Sequence, residues 1–241
     1  FDASFTASAG YVIRSMVGGI DSFPLLAVPM FVLAGILMAH GKISEKLFDV
    51  FVYFLGNKRA GIPCAVIITC LFYGAISGSA PATVAAVGSM TIPLLIELGY
   101  EKDFSTAIVA VAGGLGVIIP PSIPFIMYAM ATGESVSDLF LAGIVPGMMI
   151  SALLIFYAYY YCRRHGEDRE KIQAKMDQLK TKGFVNILKE SIWALLSPVI
   201  VLGCIYSGVA SPTEAAVISV FYSLFVSLFI YKSIKVKQIW G

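Results

Sequence analysis

The feature that most restricts the fold of this chain is a series of long apolar segments. They fall at residues 23–40, 60–76, 80–98, 104–131, 138–162, 191–208 and 213–231. Charged residues make up only 13% of the chain, about half the share of a typical soluble domain, and the mean hydropathy is +0.85. Because a helix needs roughly 20 apolar residues to cross a bilayer, the sequence predicts an all-α integral membrane protein. The net charge of +2 gives no indication of a nucleic-acid partner.

Two of the connecting stretches are not apolar throughout. Residues 163–183 form the one clearly hydrophilic stretch, which we expect to be a solvated helical loop. Residues 44–56 place Phe48, Phe51 and Val52 at helical spacing among charged residues. This spacing predicts an amphipathic helix at the membrane surface, with a short cap on the following span as the alternative.

The basic residues indicate how the segments are oriented. If the loop at 163–190 is cytoplasmic, counting spans in both directions places sixteen of the seventeen Lys and Arg residues on that side and only Arg14 opposite, in agreement with the positive-inside rule. The count holds only if segment 60–98 begins and ends on the cytoplasmic side. Two full spans satisfy this condition, and so does a re-entrant helical hairpin. The small, tightly turning residues Ser-Gly-Ser-Ala-Pro at 77–81 favour the hairpin.

Two apolar segments are interrupted where a membrane helix would otherwise continue. The first interruption lies in AISGSAPATVAAVG at residues 75–88, and the second lies in GGLGVIIPPSIPF at residues 113–125. In the hydrocarbon layer, irregular backbone persists only where protein buries it or where it lines a wet cavity. One kink is usually structural, but two in neighbouring segments indicate a binding site, because discontinuous helices form the ion and substrate sites of secondary transporters.

Each interruption offers oxygen ligands that carry no charge. Pro120 and Pro121 lack an N–H and clash with the preceding turn, so the helix cannot continue through them and several carbonyls are freed. Ser77 and Ser79 supply hydroxyl oxygens at the tip of the hairpin. Together these oxygens can surround a small cation, while the positive N-terminal ends of the restarting helices can face an anion.

The type of coupling ion is indicated by what these segments lack. Residues 60–96 and 104–133 contain no Asp or Glu. A proton relay through the membrane uses such carboxylates, so the pattern favours sodium over protons as the coupling ion.

The last two apolar segments contain a single charge, Glu214. It stands in Ser211-Pro212-Thr213-Glu214, which matches a capping box with proline at the first helical position. We therefore expect Glu214 to cap a helix rather than to bind an ion or substrate.

Three runs of sequence resemble one known family. They are ISGSAPATVAAVGSMTIPLL, AGGLGVIIPPSIPFIMYAMATGESVSDLFLAGIVPG and SPTEAAVIS. They look like the large membrane subunit of the tripartite ATP-independent periplasmic (TRAP) transporters, in order and over nearly the whole chain. The resemblance implies an inverted-repeat, elevator-type transporter fold with a re-entrant helical hairpin and a broken helix, located in the bacterial inner membrane.

The same resemblance implies a function and partners. We expect sodium-coupled uptake of a small organic acid, such as a dicarboxylate or sialic acid, with no enzymatic activity and no cofactor besides the coupling sodium ion. The expected partners are a small four-helix membrane subunit, an extracytoplasmic solute-binding protein that delivers the substrate, and membrane lipid. The alternatives are a non-TRAP ion-coupled carboxylate transporter, a channel, a scaffold and an intramembrane enzyme. An enzyme is disfavoured because Ser77 and Ser79 have no histidine or lysine partner in their segment.

Carried over by position, the resemblance implies two sets of site residues. Both sets lie in the two interruptions. The sodium site would use Ser77 and Ser79 with main-chain oxygens near Gly116, Ile119 and Pro121. The substrate would lie beside the same hairpin and broken helix, at Ser79, Ala80, Pro81, Thr83, Pro120 and Ser122.

The family pattern also implies how the chain is organised. We expect a lead-in segment (1–22), a first transport repeat (23–162) with amphipathic helix 44–56, hairpin 60–98 and broken helix 104–131, a cytoplasmic loop (163–190) and a helix pair (191–241). The second hairpin, broken helix and sodium site of the family are absent from this sequence. We therefore expect the chain to be the N-terminal half of a longer permease, rather than one of two separate polypeptides, and not to transport alone.

Overall fold

The computed structural model describes residues 9–181 and 183–233, which contain helices but no β-strand. The α-helices in these residues are α1 (Ala9–Ile20), α2 (Ala27–His40), α3 (Ile43–Leu55), α4 (Gly61–Ser77), α5 (Ala80–Glu97), α6 (Lys102–Gly113), α7 (Ile123–Thr132), α8 (Val136–His165), α9 (Arg169–Thr181), α10 (Phe184–Tyr206) and α11 (Pro212–Phe225). Short 3-10 turns precede α2 and follow α6, and a π-helical turn follows α11.

Five of the described helices are long and apolar enough to cross a membrane. They are α5, α8, most of α10, α2 together with the turn before it, and α11 together with the turn after it. The apolar helices α4 and α7 are shorter. The prediction of an all-α integral membrane protein is confirmed.

The two ends of the chain are described in part. The predicted lead-in segment 1–22 is described from residue 9, where it forms the exposed helix α1. The predicted helix pair 191–241 is described as far as residue 233, and its first helix, α10, already begins at Phe184.

Helix α4 lies at the centre of the main core. It packs against α3, α5, α6 and α8, and most of its side chains are buried, among them Ile62, Ile67, Cys70 and Tyr73. Its sequence is apolar on every side rather than on one face, as a helix surrounded by protein requires. The hairpin that α4 forms with α5 is therefore supported on several sides.

Helices α2 and α11 form a second packed pair. The small side chains Ser219, Ser223 and Ser227 on and just after α11 are fully buried, and the hydroxyl of Ser227 donates to the carbonyl of Leu37 on α2 at 3.4 Å. Small side chains of this kind allow two membrane helices to approach closely.

The start of α11 has the predicted capping box. The hydroxyl of Ser211 accepts a hydrogen bond from the N–H of Glu214 at 3.3 Å, and the carboxylate of Glu214 accepts one from the N–H of Ser211 at 2.8 Å. The prediction that Glu214 is a capping residue is confirmed.

The hydrophilic loop differs from the prediction that it is solvated. It contains α9, in which the side chains of Ile172, Met176 and Leu179 are buried. These residues are spaced four and three positions apart, so they form one apolar stripe on an otherwise polar helix. Helix α9 packs on α3, and a Cβ added to Gly56 at the end of α3 would lie 2.3 Å from the sulfur of Met176. The loop is therefore docked on the protein along one face.

A helix is present where the amphipathic helix was predicted. This helix, α3, packs against α4, α9 and α10, and its Phe48 and Val52 side chains are buried. The apolar spacing of residues 44–56 therefore serves packing within the protein.

Several connections meet at one end of the molecule. The guanidinium of Arg169, at the start of α9, donates to the carbonyl of Asn57 between α3 and α4 at 3.3 Å. Lys46 on α3 forms an ion pair with Glu190 on α10. These contacts place residues of the two basic stretches near 42–59 and 163–190 side by side.

Candidate functional site

The tip of the hairpin is a three-residue turn, Ser77-Gly78-Ser79, which we call the hairpin tip. Gly78 has a φ of +62°, in the left-handed region that favours glycine. Its N–H donates to the carbonyl of Gly74 at 2.9 Å and completes the last turn of α4. Helix α5 starts immediately afterwards with Pro81 in its first turn, where the missing N–H of proline needs no partner. The chain therefore reverses direction within a few residues.

The second interruption, residues 114–122, separates α6 from α7, and we call it the break. It consists of a 3-10 turn, Gly114–Val117, and a non-helical stretch that ends at the start of α7. The peptide bond between Pro120 and Pro121 is cis. Pro120 and Pro121, which were predicted to interrupt the helix, both lie within the break.

Ser122 restarts the broken helix as its N-cap. Its hydroxyl donates to the carbonyl of Val117 at 2.7 Å and accepts from the N–H of Phe125 at 3.4 Å. Ser79 is the corresponding residue before α5, since both serines have extended backbone and each precedes a residue–proline pair that opens a helix, but the Ser79 side chain makes no capping hydrogen bond. The hairpin tip and the break therefore end with the same backbone pattern.

The hairpin tip and the break contact each other through their main chains. The N–H of Ile123 donates to the carbonyl of Gly78 at 3.2 Å. A Cβ added to Gly74 would lie 2.5 Å from the Cα of Gly116, and a Cβ added to Gly78 would lie 2.9 Å from the carbonyl oxygen of Pro121. The two interruptions therefore form one structural unit.

Three oxygen atoms gather where the hairpin tip faces the break, and we call them the oxygen cluster. The hydroxyls of Ser77 and Thr83 lie 3.1 Å apart, and both side chains are fully buried. The Thr83 hydroxyl donates to the carbonyl of Ser79 at 2.8 Å, and the Ser77 hydroxyl lies 3.4 Å from the same carbonyl. A Cβ added to Gly116 would lie 2.5 Å from the Thr83 hydroxyl. The main chain of the break therefore faces the oxygen cluster with no side chain between them.

The break offers further oxygen acceptors. Within the described residues, the carbonyls of Ile119 and Pro121 accept no hydrogen bond. The carbonyl of Ile118 faces α8, because it would lie 2.6 Å from a Cβ added to Gly143. A carbonyl without a hydrogen bond is costly in the membrane interior, so the Ile119 and Pro121 carbonyls are candidate ligands for a cation.

Four helix ends converge at this unit. Helix α4 and the 3-10 turn after α6 end here, and α5 and α7 begin here. The C-terminal ends carry partial negative charge and favour a cation, whereas the N-terminal ends carry partial positive charge and favour an anion. The hairpin tip and the break contain no charged side chain, so helix ends and neutral oxygens dominate the local electrostatics.

The residues predicted for the sodium site lie at or near the junction. Ser77, Gly116 and the carbonyl of Pro121 are all at the contact between the hairpin tip and the break. Ser79 contributes its carbonyl to the oxygen cluster, whereas the sequence suggested its hydroxyl. The side chain of Ile119 packs against α8, so only its main chain can face a cation.

The residues predicted for the substrate differ in exposure. The accessible or half-buried members are Ser79, Ala80 and Pro81, and the buried members are Thr83, Pro120 and Ser122. The hydroxyl of Ser122 is occupied by helix capping. The hydroxyl of Thr83 belongs to the oxygen cluster, which places it beside the residues predicted for the ion.

Sequence reasoning missed the contribution of Gly74 and grouped Thr83 with the substrate residues. The spacing of both residues is compatible with these positions, although spacing alone does not single them out. Thr83 follows Ser79 by four residues, so its hydroxyl can reach back to the Ser79 carbonyl on the same helical face. Gly74 precedes Gly78 by the same interval and therefore lies one helical turn below the hairpin tip.

Comparison with known proteins identifies the family. The model of the family described as tripartite ATP-independent periplasmic transporter, DctM component, matches residues 3–241. The chain belongs to this family. The resemblance noted in the sequence is thereby confirmed, and this DctM-family chain is a multi-pass membrane protein.

Curated relatives of the DctM-family chain are named as TRAP transporter permeases. It is 45% identical over 224 residues to the isethionate TRAP transporter permease protein DctMQ of Oleidesulfovibrio alaskensis, covering 93% of this chain and 34% of the relative. It is 35% identical over 242 residues to the C4-dicarboxylate TRAP transporter large permease protein DctM of Rhodobacter capsulatus, covering 95% and 54%. It is 37% identical over 227 residues to the 2,3-diketo-L-gulonate TRAP transporter large permease protein YiaN of Escherichia coli, covering 94% and 52%.

The chain therefore spans about half the length of two of these relatives and about a third of the other. All three are named as transport permeases and none as an enzyme, which agrees with the prediction that the chain is not an enzyme.

Proposed function

We propose that this DctM-family chain is part of a sodium-coupled secondary transporter that takes up a small organic anion. An extracytoplasmic solute-binding protein delivers the anion, and a small four-helix membrane subunit completes the membrane assembly. Family membership supports the transport function. Because the chain spans about half the length of its relatives, the activity belongs to the assembled permease.

The oxygen cluster is the observation that carries this proposal. It combines the hydroxyls of Ser77 and Thr83 with the carbonyl of Ser79, and it faces the break at Gly116. Unwound backbone carbonyls and helix C-terminal ends coordinate sodium in secondary transporters. A site built from neutral oxygens favours sodium over a proton, since a proton needs a titratable group to carry it.

We further propose that α4 and α5 form a re-entrant hairpin rather than two full spans. Ser77 and Gly78 are buried, whereas a loop between two spans would be exposed to water. The hydrogen bond from Ile123 to Gly78 also requires the hairpin tip and the break to lie at the same depth. This arrangement places two irregular segments together inside the protein, where such backbone is tolerated.

Two observations, the helix ends and the names of the relatives, support the proposed substrate class. Isethionate, C4-dicarboxylates and 2,3-diketo-L-gulonate, the substrates in those names, each carry a sulfonate or carboxylate group. The N-terminal ends of α5 and α7 meet beside Ser79, Ala80 and Pro81, which are accessible or half-buried. Helix N-termini bind anionic groups. We therefore place the acid group of the substrate at these helix starts, next to the cation.

The test is uptake by the permease reconstituted in proteoliposomes with its small subunit and binding protein. Thr83→Val removes one hydroxyl of the oxygen cluster and keeps the side-chain shape. Thr91→Val is the matched control, because Thr91 is also fully buried on α5 and its hydroxyl donates to a carbonyl four residues earlier at 2.8 Å. We expect Thr83→Val to raise the sodium concentration for half-maximal uptake about tenfold, the effect of losing roughly 1.4 kcal/mol of binding.

The control variant is expected to keep the sodium dependence of the unmodified permease. Uptake that does not respond to a sodium gradient would contradict sodium coupling. An equal effect of Thr83→Val and Thr91→Val would show that the oxygen cluster serves packing only.

A further inference from the structure

Glu167, in the connection between α8 and α9, is a buried carboxylate at the end of the hairpin remote from its tip. Its side chain is 2% exposed. One carboxylate oxygen, Oε1, accepts hydrogen bonds from the N–H of Ala60 at 3.0 Å and from the hydroxyl of Tyr100 at 2.7 Å. The other oxygen, Oε2, lies 3.1 Å from the guanidinium of Arg169.

The two donors belong to the two legs of the hairpin. Ala60 is the residue before α4, and Tyr100 lies between α5 and α6. Both are buried, at 0% and 7% exposure. A buried N–H or hydroxyl needs a hydrogen-bond partner inside the protein, and Glu167 supplies that partner to both.

The start of α4 depends on this support. Ala60 has a φ of +56°, a left-handed conformation that is strained for alanine and persists only when its surroundings hold it. The following residue also lies in a tight corner, because a Cβ added to Gly61 would lie 1.9 Å from the carbonyl oxygen of Leu55. The hydrogen bond from Ala60 to Glu167 therefore stabilises an unfavourable turn.

Tyr100 remains a donor under ordinary conditions. Burial, followed by its hydrogen bond to Glu167, raises the pKa of the Tyr100 hydroxyl above its usual value. The hydroxyl therefore keeps its proton at neutral pH, and the contact with the carboxylate is retained.

We propose that Glu167 is a positioning residue for the ion site, acting through what we call the Glu167 clamp (Glu167, Ala60 and Tyr100). The clamp holds both legs of the hairpin at one end and thereby fixes how the hairpin tip meets the break at the other end. It also fixes the link from α5 to α6, the helix that leads into the break. The inference rests on the proposed function insofar as the oxygen cluster is the sodium site.

The experiment measures amide hydrogen exchange of the purified permease in lipid nanodiscs, without sodium. Glu167→Ala removes the acceptor from both legs, Tyr100→Phe removes one donor, and Glu167→Gln keeps an amide oxygen that can still accept. Tyr161→Phe is the matched control. The Tyr161 hydroxyl donates to Glu101 at 2.6 Å at the same end of the molecule, but Glu101 is exposed.

We expect Glu167→Ala to increase exchange about threefold to tenfold at Ala60 and also at Ile123, whose N–H joins the break to the hairpin tip. Tyr100→Phe gives a smaller increase at Ile123, Glu167→Gln restores most of the protection, and Tyr161→Phe has no effect. Unchanged exchange at Ala60 overturns the clamp. Increased exchange at Ala60 with none at Ile123 overturns the positioning role, because the loss is then confined to the base of the hairpin.

Uptake assays separate this inference from the proposed function. If fewer permease molecules have the ion site in its binding geometry, the sodium concentration for half-maximal uptake rises by the factor by which that fraction falls. Glu167→Ala should therefore raise this concentration about threefold to tenfold, with a smaller change in the maximal rate. A fall in maximal rate alone overturns the positioning role. If uptake by the unmodified permease does not depend on sodium, the proposed function fails. Exchange at Ala60 then still tests the clamp, and exchange at Ile123 still tests whether the clamp positions the hairpin tip.

Discussion

Gly116 occupies the point at which the break meets the hairpin tip, and its lack of a side chain is what permits the contact. A Cβ at this position would lie 2.5 Å from the Thr83 hydroxyl and 3.0 Å from the Ser79 carbonyl. A Cβ added to Gly114, in the same 3-10 turn, would have no neighbouring atom within 4 Å. Comparing an alanine variant at Gly116 with one at Gly114 therefore separates the effect of steric contact from the effect of replacing a glycine in this turn.

We predict that Gly116→Ala abolishes sodium-dependent uptake or lowers it at least about tenfold. The added carbon would displace the Thr83 hydroxyl, a proposed sodium ligand, by several tenths of an ångström, and site geometry tolerates little displacement. Gly114→Ala should keep most of the activity. The measurement is initial uptake rate against sodium concentration, at equal amounts of folded protein. Similar losses in both variants would show that the turn, and not the contact with Thr83, is what matters.

The residues of the candidate ion site could be predicted from the sequence only in part. Ser77 and the glycine-proline interruptions stand out because each is unusual within an apolar segment. Thr83 does not, since a threonine in an apolar helix commonly donates to the carbonyl four residues earlier, as Thr91 does on the same helix. The difference between them is the contact of Thr83 with Ser77 and Gly116, which depends on tertiary structure.

At the scale of elements, α9 shows how a hydrophilic connection can become part of the core. Ile172, Met176 and Leu179 are buried at 3%, 0% and 4% exposure. The remaining residues of the helix are mostly charged or polar. The docked face therefore consists of a few side chains, and each contributes substantially to the docking of α9.

We predict that Met176→Ala weakens the docking of α9 by about 2 kcal/mol, which is the lower end of the range for truncating a buried methionine. Helix α9 should therefore detach locally more often. The expected result is faster proteolytic cleavage between α8 and α10 in nanodiscs. Gln173→Ala is the control, because Gln173 is exposed on the same helix. Equal cleavage of the two variants would contradict docking through the apolar stripe.

The helices themselves were largely predictable because length and apolar composition determine them in a membrane chain. The proline pair predicted the break, and the Ser-Gly-Ser turn predicted where α4 ends. The burial of Glu167 could not be predicted, since a glutamate in a charged stretch is ordinarily solvated. Its partners, Ala60 and Tyr100, are distant in sequence.

At the scale of the whole molecule, the contacts among the connections bear on orientation. Residues near Asn57, Tyr100 and Glu167 meet at one end. The charge distribution predicts that the same connections lie in the cytoplasm. The connection between α7 and α8, which contains Glu134 and no basic residue, is expected on the opposite side.

We predict that two single-cysteine variants are labelled from opposite sides of the membrane. Both are made in a background in which the four native cysteines have been replaced. Glu134→Cys should react with a membrane-impermeant maleimide in intact spheroplasts, because an uncharged or acidic connection is readily translocated. Gln173→Cys should react only after the membrane is permeabilised. Both positions are exposed on the protein. Reaction of both cysteines from the same side would contradict the orientation.

The contact between Gly74 and Gly116 has a consequence for genetics. In most packed sites, a mutation that enlarges one side chain can be rescued by a second mutation that shortens its neighbour. Here the neighbours are two stretches of main chain, since a carbon added to Gly74 would meet the Cα of Gly116 at 2.5 Å. Both positions are already glycine, so neither can be replaced by a smaller residue. A substitution at Gly74 that abolishes function therefore cannot be rescued by a second substitution at Gly116. Revertants should arise only by restoring Gly74.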